Sequence, residues 1–311
     1  MKVVLNIIAV LCCGVVIISM VSCGNGRHRK SGNSDGYIEL KRQLEEIVGD
    51  RPGKFGVAVI FDGKDTVTFG NSSDYPMMSM FKLHEAIAVC HALDVHRLGF
   101  DEEIGVHRGE LDPDTWSPML NEYTEDSFNV TVGKLIDYIL VDSDNNASNL
   151  LFDRVISTLE TDRYIRSVLP QDDFRIVYRE SDMKADISRS YDNRTSPLSY
   201  ACLVDRLFTE SVVSDVKQDF IRQAMGRCNT GMARIAAGLP EGVSFAHRTG
   251  SGYINSRGEV IAVNDGGYVL LSSGKGYSIA VLVKDFGGEQ EEAEKVIAQI
   301  SKAVYEFIAE R

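Results

Sequence analysis

The chain has 311 residues, with 33 Lys and Arg against 45 Asp and Glu, a formal charge of -12. An acidic surface argues against nucleic-acid binding and requires any anionic ligand to be held by a local cationic patch. The hydrophobic share of 44% and this length suffice for one compact unit of two lobes.

Met1 and Lys2 precede an almost unbroken apolar run from Val3 to Val21 that ends in small residues, the pattern of a secretory signal peptide. Met20-Val21-Ser22-Cys23 is also similar to a bacterial lipoprotein cleavage box, in which Cys23 becomes lipidated; plain cleavage after Ser22 or Cys23 is the alternative. The polar stretch 24–36 then reads as a tether, and loss of residues 1–23 removes Lys2, moving the charge from -12 to -13. This reading places the protein across the inner membrane, in the periplasm, lipid-anchored through Cys23 and monomeric. Cys90, Cys202 and Cys228 remain. Their number is odd and their spacing is not that of a metal site, so buried or free thiols are expected, and any disulfide among them stays open.

In chain order, Tyr37–Val48 carries Ile38, Leu40, Leu44 and Ile47 at helical spacing and stops before Gly49. Lys54–Phe61 and Thr66–Phe69 read as strands around Asp62-Gly63-Lys64. From about residue 80 to 230 helical periodicity dominates. Gln171–Pro197 interrupts it with Asp, Arg, Ser and Asn, and an irregular stretch of that length inside a compact unit is more often functional than idle. Ser244–Thr249, Glu259–Asn264, Gly267–Leu271 and Ser278–Lys284 read as strands, and Glu291–Ala309 as an amphipathic helix. The fold class expected is α+β: an antiparallel five-stranded sheet flanked by the terminal helices (37–70 plus 231–311), with an all-α lobe inserted (71–230, including the loop 171–197).

Four motifs fall in order along this frame. Ser79-Met80-Phe81-Lys82 opens an apolar helical run, and residues three apart share a helix face, so the Lys82 amine can reach the Ser79 hydroxyl and take its proton. A helix start also aims backbone N–H groups at a developing oxyanion, although Ser79 as a simple N-cap explains the same placement. Ser143-Asp144-Asn145 has turn and cap chemistry. There Ser143 can pass a proton to a leaving nitrogen and Asn145 can bind an acyl amide, while Asp144 reads as a turn-former. Glu180 is a lone carboxylate in the polar loop. Arg248-Thr249-Gly250-Ser251-Gly252 ends a strand: its glycines allow close backbone approach, Arg248 and Thr249 can hold a carboxylate, and the Ser251 N–H can join that of Ser79 in an oxyanion hole. His84, His91 and His96 share a helix without ligand geometry, and His84 and His91 are expected on its surface. No metal and no cofactor is expected.

Together the motifs resemble the class A β-lactamases over essentially the whole chain after the signal segment. Asn149 matches the family's supporting Asn, Trp116 the aromatic residue at the cleft mouth, and Arg257 an extra arginine that helps bind the substrate carboxylate. The stretch from Asn229-Thr230-Gly231 through Arg234 to Leu239-Pro240 is also similar to the family. The sequence departs from the pattern at Arg248, where Lys is usual, and at Lys184, where an Asn usually helps hold the hydrolytic water; Lys184 is expected beside Glu180. The loop wording and the longer Trp116–Val132 segment resemble the extended-spectrum, cephalosporin-hydrolysing branch of Bacteroides-type bacteria. The resemblance implies β-lactam antibiotics as substrates, Ser79 as nucleophile, Lys82 or Glu180 (through a water) as acylation base, Ser143 as proton relay and Glu180 as deacylation base. It implies a substrate carboxylate held by Thr249, Arg248 and Arg257. A penicillin-binding transpeptidase or carboxypeptidase shares three of the motifs but not the loop carboxylate. A non-catalytic cell-wall-binding lipoprotein would be marked by loss of Ser79, Lys82 or Glu180.

Overall fold

A computed structural model describes residues 32–61, 63, 65–170 and 173–310, with the side chains of 32–35 set aside. The signal segment, Cys23 and the first part of the tether lie outside the described residues. Among the described residues no helix is long and apolar enough to cross a membrane.

Helix α1 (Gly32–Val48) begins inside the stretch expected as tether and leads into β1 (Lys54–Phe61) and β2 (Asp65–Phe69). At the other end of the chain come β8 (Ser244–Ser251), β9 (Val260–Leu270), β10 (Gly276–Phe286) and the last helix, α10 (Gln290–Ala309). These strands form one sheet in the order β2-β1-β10-β9-β8, antiparallel throughout. Two runs read separately in the sequence, Glu259–Asn264 and Gly267–Leu271, are one continuous β9. Its glycines make close approaches rather than a turn: a Cβ on Gly266 would sit 2.7 Å from the Tyr200 ring, and one on Gly267 would sit 2.2 Å from the Ala246 carbonyl oxygen.

Both faces of the sheet are covered, which explains why β1 and β10 are apolar at almost every position. Side chains alternate across a strand. Val57, Val59, Ile279, Val281 and Val283 therefore pack with Leu40, Leu44, Val296, Ile300 and Val304 of the terminal helices. Ala58, Ile60, Ala280 and Leu282 point the other way, into the core of the helical lobe.

That lobe is built around α2 (Phe81–His96), whose residues Phe81 to Cys90 are all buried. A helix apolar on every side belongs at a centre. Around it lie α3 (Met119–Glu122), α4 (Val132–Asp137), α5 (Asn145–Arg154), α6 (Thr158–Val168), α7 (Glu180–Ala185), α8 (Pro197–Thr209) and α9 (Asp215–Gly226). The lobe is not purely helical. β3 (Tyr75–Pro76), β6 (Phe174–Arg175) and β7 (Arg194–Thr195) form one small sheet, and β4 (Glu103–His107) and β5 (Ser127–Thr131) form another. They are short and amphipathic, so the helical period of their neighbours masks them.

His84 is not on the helix surface. It is fully buried, with ring centroids 5.4 Å from Phe174 and 5.8 Å from Tyr200, and burial drives its pKa down to about 3. A neutral imidazole serves there as a flat core residue. His91 is half-buried and stacked on Tyr164 at 3.7 Å.

Candidate active site

Ser79 lies in a single 3-10 turn, Met78–Met80, that runs directly into α2. Met78 is held at φ 46, in the left-handed region that a side chain disfavours. Two contacts hold the turn. Asn264 on β9 donates to the Pro76 carbonyl at 2.7 Å and accepts the Val283 N–H at 3.1 Å. Gly250 on β8 passes so close that a Cβ there would meet the Met77 carbonyl oxygen at 2.2 Å. The glycine expected to face a ligand instead lets the strand lie against the nucleophile turn.

Lys82, one helical turn on, is fully buried. Its Nζ lies 3.1 Å from Ser79 Oγ, 2.9 Å from Glu180 Oε1, 2.6 Å from Asn145 Oδ1 and 2.8 Å from the Ser143 carbonyl. Burial lowers its pKa, the Glu180 charge resists that fall and the Arg248 charge adds to it. The Ser79 hydroxyl donates to Glu180 Oε1 at 2.8 Å. One serine proton thus has two bases within hydrogen-bond reach.

Glu180 is the first residue of α7, at the electropositive helix end. The polar loop around it is ordered by specific polar contacts. Asn193 accepts the N–H groups of Val177 (2.7 Å) and Tyr178 (2.9 Å) and donates to the Tyr178 carbonyl (2.7 Å). Asn149 accepts the Ser181 N–H at 3.2 Å. Arg179 pairs with Asp182 and Asp153.

Ser143 also has a left-handed backbone, φ 65, where one turn of π-helix (Tyr138–Asp142) ends. Asp144 caps α5 by accepting from Ala147 N, Met119 N and Ser117 Oγ, as its turn-forming reading expects. Asn145 donates to Thr115 Oγ1 at 2.9 Å, which orients its amide oxygen toward Lys82. Trp116 is 62% exposed at the cleft mouth, its indole N–H on the Asp142 carbonyl.

The cleft between these elements has a volume of about 380 Å³. Ser79, Trp116, Ser143, Asn145, Glu180, Lys184, Thr249 and Ser251 line it, together with Met78, Thr115, Thr230 and Tyr253. Arg248 sits behind this wall, fully buried. It donates to Ser143 Oγ and, at 3.2 Å, to Thr230 Oγ1, which is itself 2.6 Å from Thr249 Oγ1. The cation therefore presents its charge through three hydroxyls.

One expectation is corrected. Arg257 does not enter the cleft: its side chain is 63% exposed and pairs with Glu259 and Asp285. Its neighbourhood is acidic, so the guanidinium is engaged before any ligand arrives. The cation beside Ser251 is Arg234, 2% exposed, which donates to Ser251 Oγ (2.6 Å), to the Asn264 carbonyl (2.7 Å) and to the Gly250 carbonyl (3.2 Å), and pairs with Glu294 at 3.1 Å. Lys184 lies one helical turn from Glu180 and lines the same cleft, while its ammonium pairs with Asp112 at 2.6 Å. Asp112 is a ready partner, since Asn146 holds its backbone at N–H and carbonyl. Thr230, Asn193 and Asn264 were not singled out as site residues; the partner that gives each its role lies well away in sequence.

A buried Ser–Lys–Glu cluster with a hydroxyl-bearing turn opposite, set between a sheet edge and a helical lobe, has the parts of a serine acyl-transfer centre. Comparison with known proteins narrows the class. The model of the β-lactamase enzyme family matches residues 39–308. A β-lactamase of Phocaeicola vulgatus is 42% identical over 303 residues, 97% of this chain and 94% of that one. The extended-spectrum β-lactamase PER-1 of Pseudomonas aeruginosa is 33% identical over 86% of this chain and 87% of its own. Among solved structures, the TLA-3 extended-spectrum β-lactamase superposes with TM-score 0.84 at 30% identity, covering 88% of this chain and 99% of that one. The chain belongs to the β-lactamase enzyme family, with the class A architecture.

Proposed function

We propose that the protein hydrolyses the amide of β-lactam antibiotics through a serine acyl-enzyme and so confers resistance. The observation that carries this reading is the contact of Ser79 Oγ with both Glu180 (2.8 Å) and Lys82 (3.1 Å) in a cleft that Ser143 also faces. Ser79 attacks the ring carbonyl, whose oxygen is received by the backbone N–H groups of Ser79 and Ser251. The Ser79 proton passes to Glu180 or to Lys82, both within hydrogen-bond reach of Oγ, and Lys82 also holds Asn145 and the Ser143 carbonyl in place. Ser143, oriented by the Arg248 hydrogen bond, passes its hydroxyl proton to the departing ring nitrogen and is reprotonated by the group that took the Ser79 proton, so that Glu180 is a carboxylate for the next step. The substrate carboxylate docks on Thr249, Thr230 and Ser251, backed by Arg248 and Arg234, and Asn145 and Trp116 line the acyl side. Glu180 then activates water against the ester. One oxyanion donor contributes about 3 kcal/mol, and a general base about 100- to 10,000-fold in rate.

Penicillins and cephalosporins are the proposed substrates, and an extended spectrum is supported by similarity to relatives named extended-spectrum β-lactamases. Residues 1–23 act as a secretory signal, Cys23 carries the lipid, and the protein works as a periplasmic monomer. Mass spectrometry of the N-terminal peptide from membranes tests the lipid; an unmodified start at Cys23 or Gly24 refutes it.

The mechanism is tested by hydrolysis of a chromogenic cephalosporin. The protein turns over rapidly, Ser79→Ala is inert, and Glu180→Gln accumulates a covalent adduct visible in its intact mass. Removing one member of a buried ion pair costs about 3–5 kcal/mol, so melting temperatures accompany the Glu180→Gln assay. Stoichiometric acylation without turnover in the unmodified protein would instead mark a penicillin-binding enzyme.

A further inference from the structure

The opposite end of β8 from the catalytic cleft borders a larger cavity, of about 820 Å³. Cys228 and His247 both line it, with Phe208, Met232, Leu239 and Tyr268 as apolar walls. His247 Nδ1 lies 2.9 Å from Asp265 Oδ1, and both side chains are almost completely buried. That bond fixes the ring, which shares the cavity lining with the Cys228 thiol. Thiol, imidazole and carboxylate thus gather at one cavity, the three groups that activate a cysteine nucleophile. The catalytic reading uses none of the three. Cys228 also touches the cleft wall, its Sγ 3.3 Å from Thr230 Oγ1, the hydroxyl that bonds Thr249 and Arg248.

We propose that Cys228 is a nucleophilic thiol that small disulfides and soft alkylating electrophiles reach through this cavity, and that its modification disturbs the catalytic cleft through Thr230. The coupling to catalysis rests on the β-lactamase reading; the reactivity of the thiol does not. With a disulfide, the Cys228 thiolate attacks one sulfur, a new S–S bond forms, the old one breaks, and the other half leaves as its thiolate. With iodoacetamide, an S–C bond forms and iodide leaves. Neither step needs a further oxidant.

The electrostatics agree. Burial resists charge on Cys228, but the hydrogen bond and charge of His247, with Arg248 behind it, outweigh burial and draw the thiol down to about 6. Burial likewise resists charge on His247, and Asp265 together with Cys228 carries it up to about 10. Glu241 is the further acidic residue on the cavity lining. The other two free thiols go the opposite way: burial pushes Cys202 up to about 11 and Cys90 up to about 12. At neutral pH Cys228 therefore carries a far larger thiolate fraction than Cys202, offset only in part by its weaker intrinsic nucleophilicity.

Peptide mapping after brief iodoacetamide treatment of the folded protein at pH 7 should find Cys228 alkylated roughly 100-fold faster than Cys202 or Cys90. Glutathione disulfide should form a mixed disulfide at Cys228, and His247→Gln should slow both reactions. Labelling of Cys228 no faster than Cys202 overturns the proposal. Turnover of the chromogenic cephalosporin should fall in step with labelling, while Cys228→Ala turns over normally and ignores the reagent. Labelling that leaves turnover unchanged overturns the link to the cleft. Fast labelling in a protein that hydrolyses no β-lactam would leave the thiol site standing and refute the functional reading.

Discussion

Arg234 and Arg257 carry the same charge and differ almost entirely in setting. Arg257 is out in solvent against two carboxylates, whereas Arg234 is buried and bonded to the serine at the cleft rim. Hydrogen bonds to a charged group contribute about 1.5–3 kcal/mol, so Arg234→Ala is expected to lower kcat/KM by roughly 10- to 100-fold. Arg257→Ala should change it by less than about twofold, as expected for an exposed ion pair; Michaelis curves on the two variants decide. Lys184 is read in the same way. Its hydrogen bond to Asp112 holds that carboxyl below the usual range, so its charge is engaged away from Glu180. Lys184→Asn should therefore leave the pH–rate profile in place, and a displaced acidic limb would return Lys184 to the base. The Cys228–His247 pair makes a pH prediction for stability. His247, raised from 6.5 to about 10, adds stability that is fully present below pH 6.5 and lost as pH climbs through 10. Cys228, lowered from 9 to about 6, adds stability present above pH 9 and lost as pH falls through 6. Between 6.5 and 9 the two slopes oppose each other. The melting-temperature advantage over a Cys228→Ala/His247→Gln variant should thus be flat there and shrink on both sides.

Elements show where local signals suffice. Lys54–Phe61 is β1 residue for residue, and the terminal helices and the ends of β8 and β10 fall within a few positions of their periodicity. Ser79, Lys82 and Ser143 were legible because each sits in a short motif whose neighbours set its geometry; Glu180, a lone carboxylate in a polar loop, took its role from the family resemblance. Arg234 and Thr230 fell in a family-like stretch but without a role, and Asn193 and the burial of His84 were not legible. Their settings come from partners distant in sequence, such as Glu294 for Arg234 and Val177 for Asn193. Strand β9 was split because Gly266 and Gly267 imitate a turn, while their cause is the Tyr200 ring and the neighbouring strand. The same close packing makes Gly250→Ala informative. Its Cβ would press on a backbone oxygen, and overpacking of that kind costs about 1–3 kcal/mol. The variant should melt several degrees lower and lose turnover more than substrate affinity, because the pressed atom belongs to the nucleophile turn. A variant that keeps full kcat would show that β8 does not position Ser79.

At the scale of the whole molecule, the sheet divides two cores and the catalytic groups lie where one edge of it meets the helical lobe. The protein's acidity, with a net charge of -12, does not reach this place directly. Arg248, Arg234 and Lys82 are all buried there, and they form the local cationic patch that an anionic substrate requires in a protein of this charge. Raised ionic strength should accordingly have little effect on kcat and a modest one on KM, since buried charges are screened far less than exposed ones.

Asn264 fastens the turn that carries Ser79 to a strand 188 residues further along the chain. Contacts of such long sequence separation close late, because loop entropy must be overcome before they contribute. The helical lobe can therefore gather early while the nucleophile still lacks its support, and enzymatic competence becomes a reporter of the last stage of folding. In a refolding time course, the helical circular-dichroism signal should return before catalysis does, with Asn264→Ala widening the interval between them.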